Sequence, residues 1–179
     1  MKSGQYSIPL AGLKEGSHIY EFEIENDFFT SFEGSEIVAG ELAAQVNLVK
    51  RSSHIELELV LRGSVEVVCD RCLESYMQEL DTRGRLLIKY GDHWEEVDDE
   101  VIIIPNGESQ FDLSQLIYEF AHLGLPMQRV HPDDVDGYSG CDPDMIDRIN
   151  GIADEEEEGE ENIDPRWKDL GKLKEDLLN

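Results

Sequence analysis

Positive charge is the scarcest commodity in this chain of 179 residues: 15 Lys+Arg face 41 Asp+Glu, a formal net charge of -26. Affinity for a phosphate backbone comes largely from Lys and Arg displacing counterions, so a free-standing DNA reader is excluded and anionic membranes are disfavoured. Long apolar runs are also lacking. The longest unbroken aliphatic stretch is Val101 to Ile104, far short of a membrane span. Three cysteines are too few, and odd in number, for a secreted disulfide framework. The N-terminus has no basic, apolar leader with a cleavage site. A cytoplasmic protein with reduced thiols is expected, its cysteines serving as metal ligands, redox groups or small core hydrophobes. There is no Gly-rich phosphate loop, no Gly-x-Ser-x-Gly and no His-Glu-x-x-His, so catalysis has no positive support. The charge favours solubility or basic partners.

What is present is alternation. Tyr20, Phe22 and Ile24 interleave with glutamates; Val38, Gly40, Leu42, Ala44, Val46 and Leu48 share one parity; Ile55, Leu57, Leu59 and Leu61 share another that runs on through Val65 and Val67 to Cys69. Leu80, Thr82, Leu86, Ile88 and Tyr90 form a third apolar face. Such period-two patterns predict long antiparallel strands with one face on a core, and the polar Lys50–Ser53 cluster predicts a hairpin turn. Gly63 and Gly84 interrupt these strands where a bulge or bend is expected. Val101–Ile104 reads as a short buried strand.

Later the period changes. Asp112 can cap a helix with Gln115 as its capping-box partner, Leu113, Leu116, Ile117 and Phe120 sit at helical spacing, and Gly124 ends the run. Asp142-Pro143 starts a second helix, with Asn150-Gly151 as its stop. Seven of the eight residues from Asp154 to Glu161 are acidic, which reads as a linker. Asp164-Pro165 then opens a helix with Trp167, Leu170, Leu173 and Leu177 on one face. The expected fold is α+β: an antiparallel, bent or barrel-like sheet with helices at 112–123, 143–150 and 165–178. Its parts are a domain over 1–152, a flexible linker over 153–163 and a terminal helix over 164–179.

The sharpest local feature is Cys69-Asp70-Arg71-Cys72. Two thiolates separated by two residues can bite one tetrahedral metal, and the position between two strands suits a knuckle at the head of a hairpin. This is half a zinc site. Cys141 and a histidine must supply the rest; His131, ten residues before Cys141, is the best placed, with His122 and His93 as alternatives. The plainer reading makes Cys69 a core residue on the Val65/Val67 face. A thioredoxin-like reading needs a helix after Cys72 and a βαβ setting, which the antiparallel pattern opposes. The Asp-rich segment 131–144 fails the calcium-loop register, since Gly137 at the sixth position puts Pro132 first and Pro143 twelfth.

Together these residues carry a resemblance. Long strands, Val-Val-Cys69-Asp-Arg-Cys72-Leu-Glu, a Leu/Ile-rich helix, Leu125-Pro126-Met127, an acidic stretch and Asp164-Pro165-Arg166-Trp167 closely resemble the bacterial YceD family, over roughly residues 15–178. The resemblance implies a non-enzymatic role in synthesis, processing or accumulation of large-subunit ribosomal RNA. Relatives are commonly encoded beside a small protein of that subunit. Many carry a second cysteine cluster, where this chain has His131 and Cys141, so one structural zinc on Cys69, Cys72, Cys141 and His131 is implied. Arg71, Asp164, Arg166 and Trp167 fall in the most specific segments and are the expected partner contacts. The partner is expected to be a basic ribosomal protein or an assembly factor, with ribosomal RNA engaged only indirectly. The alternative is a zinc- or thiol-dependent regulatory protein unrelated to the ribosome.

Overall fold

The structure is a computed structural model and describes residues 5–133 and 135–158. Asp164, Arg166, Trp167 and the expected helix 165–178 lie outside the described residues. Among the described residues, eight strands and three helices follow in order: β1 (Ser7–Pro9), β2 (Gly16–Ile24), α1 (Asn26–Thr30), β3 (Ile37–Lys50), β4 (His54–Val68), β5 (Ser75–Gly91), β6 (Glu95–Asp98), β7 (Val101–Pro105), β8 (Gln110–Asp112), α2 (Ser114–Leu123) and α3 (Pro143–Glu158).

The alternating segments form the strands they predict. β2, β3, β4 and β5 pair antiparallel in sequence order, and β3 and β4 turn at the expected polar cluster. A strand buries alternate side chains, so one slip of register would expose the whole apolar set. Here Ile55, Leu57, Leu59, Leu61, Val65 and Val67 are all buried, facing α1, α2 and the small β1–β8 sheet. α1, which carries no period long enough to read, contributes Phe28 and Phe29 to this core.

Several expectations are corrected. The six-stranded sheet is open, in the order β2-β3-β4-β5-β7-β6, and forms no closed barrel; β7 runs parallel to β5 because the β6–β7 hairpin tucks its second strand against β5. Val38 is exposed rather than core-facing, because the register shifts between Ile37 and Ala39 and hands the buried position to Ile37. Asp112 and Gln115 form no capping box: the Asp112 carboxylate accepts the Ser114 N–H at 2.8 Å, while Gln115 bonds Glu119. α3 begins at Pro143 as expected, with Asp142 accepting the Asp144 N–H, but runs through Asn150-Gly151 to Glu158. A single glycine costs a helix only about 1 kcal/mol, and Ala and Glu downstream are strong helix formers. Among the described residues no helix is long and apolar enough to cross a membrane.

Neither Gly63 nor Gly84 marks a bulge, since the β4–β5 register is unbroken through both. Gly63 has φ +149°, and a Cβ there would lie 2.1 Å from the Glu41 carbonyl oxygen. At Gly84 the missing side chain makes room for the Phe120 ring of α2, which holds that helix against the sheet. Gly63→Ala is therefore expected to destabilise the fold by about 2 to 4 kcal/mol, since backbone must move. Gly107→Ala, also at positive φ but with nothing within 4 Å, should cost only about 1 kcal/mol. Urea unfolding of the two variants checks this, and equal losses would contradict it.

Candidate metal centre

β4 ends at Val68 and β5 begins at Ser75, so Cys69-Asp70-Arg71-Cys72 is the head of the longest hairpin. Cys69 continues the buried parity of Val65 and Val67 and is fully buried, as its core-facing reading required. The knuckle is closed by the Leu73 N–H donating to the Cys69 carbonyl at 3.0 Å and the Cys69 N–H donating to the Glu74 carbonyl at 2.9 Å. The Arg71 N–H points at the Cys69 Sγ, 3.4 Å away. Leu73 takes φ +64°, a left-handed conformation in which a β-branched or bulky residue is uncommon; this turn directs the chain leaving Cys72 back into β5. A strand continuing past Cys72 also disposes of the thioredoxin-like helix.

The second half of the cluster comes from the loop between α2 and α3. Its two legs are bridged at Asp133 and Ser139, which brings His131 and Cys141 side by side. This loop is tied to the knuckle away from the sulfurs. The Asp70 N–H donates to the Arg129 carbonyl at 2.7 Å, the Asp70 carboxylate accepts the Arg129 N–H at 2.8 Å, and the Arg129 guanidinium reaches both Asp70 (3.2 Å) and Glu36 (2.8 Å). The Arg129 backbone N–H, then its guanidinium, hold the Asp70 carboxyl below the usual range against a desolvation that opposes them.

The four predicted ligands converge. Donor atoms of Cys69, Cys72, His131 and Cys141 all lie within 4.8 Å of one another. Cys69 and Cys141 sulfurs are 3.7 Å apart, and Cys72 Sγ lies 3.3 Å from His131 Nδ1. Ligands at about 2.3 Å (sulfur) and 2.0 Å (nitrogen) around a tetrahedral zinc stand about 3.8 Å and 3.5 Å apart, close to both values. A disulfide would need about 2.05 Å, and all three thiols are free. The alternatives drop out: His122 bonds the Tyr118 carbonyl from α2, and His93 sits against Glu95.

The electrostatics suit a cation. Burial opposes ionisation of Cys69, but the backbone N–H groups of Cys72, Arg71 and His131 aim at its sulfur, followed by the His131 ring, and bring it to about 6. At Cys141 the Ser139 hydroxyl favours the thiolate, yet burial and the adjoining Cys69 and Cys72 sulfurs prevail and raise it. Two or more thiolates cannot share so small a space uncompensated, and a divalent ion removes that conflict. Four protein ligands would leave no open position, which is the arrangement of a structural rather than a catalytic zinc.

Arg71 is exposed at the knuckle's tip, and among the described residues its side chain forms no hydrogen bond or ion pair. The Asp70–Arg129 clamp was missed by sequence reasoning; a lone Asp inside the knuckle and a lone Arg before His131 carry no pattern that links them. The site thus defines a class, an antiparallel sheet protein with a Cys3His cluster joining its longest hairpin to a C-terminal loop. Residues 57–174, more than half of the chain and all four ligands, match the family described as large ribosomal RNA subunit accumulation protein YceD, and the protein belongs to that family. No curated protein and no solved structure matches the chain.

Protein purified without chelator is expected to contain about one zinc per chain. Cys69→Ser and His131→Ala should each lose most of it, while His93→Ala keeps it. Zinc at 100 times its dissociation constant adds about 2.7 kcal/mol to the native state, so the melting transition should fall correspondingly on chelation. Metal content and melting unchanged in Cys69→Ser would remove the site.

Proposed function

We propose that this protein is a non-enzymatic ribosome-biogenesis factor. It sustains accumulation of large-subunit ribosomal RNA by binding a basic ribosomal or assembly protein, and it contacts the RNA only through that partner. Family membership carries the ribosomal part of this reading. The choice of a protein partner rests on charge: a polypeptide of net charge -26 repels RNA but attracts the cationic proteins that assemble on it.

The chemistry of such a factor is competition. Basic ribosomal proteins stick to any polyanion, and an acidic partner occupies their cationic surface until the correct RNA site displaces it. Nothing in that cycle requires bond making. In this reading the zinc is structural: it holds the Arg71-bearing knuckle and the 125–141 loop as one rigid surface, and that surface, together with Asp164, Arg166 and Trp167, meets the partner. The site is taken to work in the cytoplasm, where ribosomes assemble.

Cells depleted of the protein should show a deficit of large subunits relative to small ones in sucrose-gradient profiles. Affinity capture from growing cells should recover a basic ribosomal or assembly protein, with capture falling steeply as salt rises and the screening length drops from about 10 Å at 0.1 M toward 3 Å at 1 M. Stoichiometric binding of naked ribosomal RNA by the isolated protein at physiological salt, or normal subunit profiles on depletion, would count against the reading.

A further inference from the structure

We infer that the groove between α2 and the β6–β7 hairpin is the docking site for a cationic, amphipathic segment of the basic partner. The inference rests on the protein-partner reading above and assigns it a surface. The groove encloses about 820 Å³. Its floor is apolar, formed by Leu86 of the sheet, Ile102 of β7 and Leu116 and Phe120 of α2. Leu123 stands at the lip with 77% of its surface exposed, unusual for a leucine that ends a core-packed helix.

The rim decides the occupant. Glu96, Asp98 and Asp99 line the hairpin side and Glu119 the helix side. Among the described residues none of these four pairs with Lys, Arg or His. Asp98 accepts the Glu100 N–H and Glu119 accepts the Gln115 amide, both neutral donors. Three acids elsewhere on the sheet are matched, Glu56 by Arg51, Glu58 by Arg85 and Asp81 by Arg62. The smaller groove on the open sheet face, about 450 Å³ beside Val49 and Val101, has Glu56 and Glu58 on its rim, both paired with arginines, and Glu100 as its one carboxylate without a cationic partner among the described residues. A groove of about 410 Å³ at Glu23, Glu25 and Glu41 also holds carboxylates without a cationic partner among the described residues, but its large apolar side chains, Ile24 and Leu42, are buried. Between α2 and the β6–β7 hairpin, unneutralised carboxylates stand beside a wider apolar floor and the exposed Leu123. A segment with an apolar stripe flanked by Lys or Arg satisfies both: its charges guide it in, and its apolar side chains hold it there.

The test uses the full chain and, as probe, a labelled synthetic amphipathic Leu/Lys peptide read by anisotropy at about 0.15 M salt. Asp98→Asn/Asp99→Asn/Glu119→Gln removes three charges at the groove; Glu21→Gln/Glu23→Gln/Glu41→Gln removes three exposed charges elsewhere and leaves the same net charge. The groove triple and, separately, Leu123→Ser should weaken the probe roughly tenfold, against less than about twofold for the control triple. Circular dichroism melting confirms that each variant is folded. Equal weakening by both triples means a diffuse field and overturns the assignment. A photo-crosslinker at position 123 should capture the peptide; capture of residues 159–179 of the same chain, or of a second copy, would show the groove already filled and overturns it too. Lysate capture separates the two levels: a basic partner retained undiminished by the groove triple refutes the groove alone, whereas no basic partner with the wild-type chain refutes the functional reading itself.

Discussion

The structure depends on the one-sided burial of the β4–β5 hairpin. β4 and β5 stay in register over fifteen paired positions, from His54↔Lys89 to Val68↔Ser75. A strand's side chains alternate, so the buried parity set by Ile55, Leu57 and Leu59 is inherited by every residue downstream. Cys69 falls on it. The cysteine is inward because the whole apolar series is inward, and the chain reverses there because Leu73 accepts a left-handed turn. The knuckle is thus an extension of the core, with one ligand on the sheet's buried face and the next displaced by a turn.

That placement explains why a mostly buried site can tolerate ionisable sulfurs. A thiolate taken from water must be compensated by hydrogen bonds or a counter-charge. The knuckle backbone supplies the first at Cys69, which is why that sulfur is pulled down to about 6 although burial opposes it. Among the described residues no comparable set of N–H groups serves Cys141, whose sulfur instead adjoins two others. The cluster therefore lacks counter-charge at one end, and the imidazole of His131, packed on the Tyr76 ring at 4.8 Å, stands beside the three sulfurs as the fourth possible ligand. Asp70 and Arg129 neutralise each other outside the cluster, so the clamp joins its halves while adding no net charge to it.

Much of this was legible in the residues. Period-two patterning located the four long strands, because burial on one face leaves no freedom in which residues are apolar. Cys-x-x-Cys between two such strands located the knuckle. His131 and Cys141 could be nominated by proximity in sequence, but the structure decides the choice: the Asp133–Ser139 bridge sets His131 beside Cys141, while His122 and His93 are bonded elsewhere. Other features left no trace. The Val38 bulge shifts a parity without changing composition, the parallel β5–β7 pair depends on how a short hairpin folds back, and α1 is too short to show a period. The continuation of α3 past Gly151 is a case where propensity of the flanking residues outweighs a local breaker.

Charge is distributed less evenly than composition suggests. Of fifteen cationic residues, Arg51, Arg62 and Arg85 lie on or beside the open sheet face, two of them directly opposite their acidic partners across the β4–β5 pair. Arg129 belongs to the knuckle clamp, and Lys50 ties the N-terminal segment to the sheet by donating to the Leu10 and Leu13 carbonyls. Exposed ion pairs of this kind add at most about 1 kcal/mol each, so their effect on stability is minor. Their effect on the field is larger. Each one cancels a carboxylate locally, and the sheet face is thereby brought closer to neutrality while the β6–β7 hairpin and the outer side of α2 are not. A strongly acidic protein built this way does not attract cations uniformly. Its scarce positive charges pair with acids on one surface, while Glu96, Asp98, Asp99 and Glu119, beside the apolar side chains of Ile102, Phe120 and Leu123, have no cationic partner among the described residues.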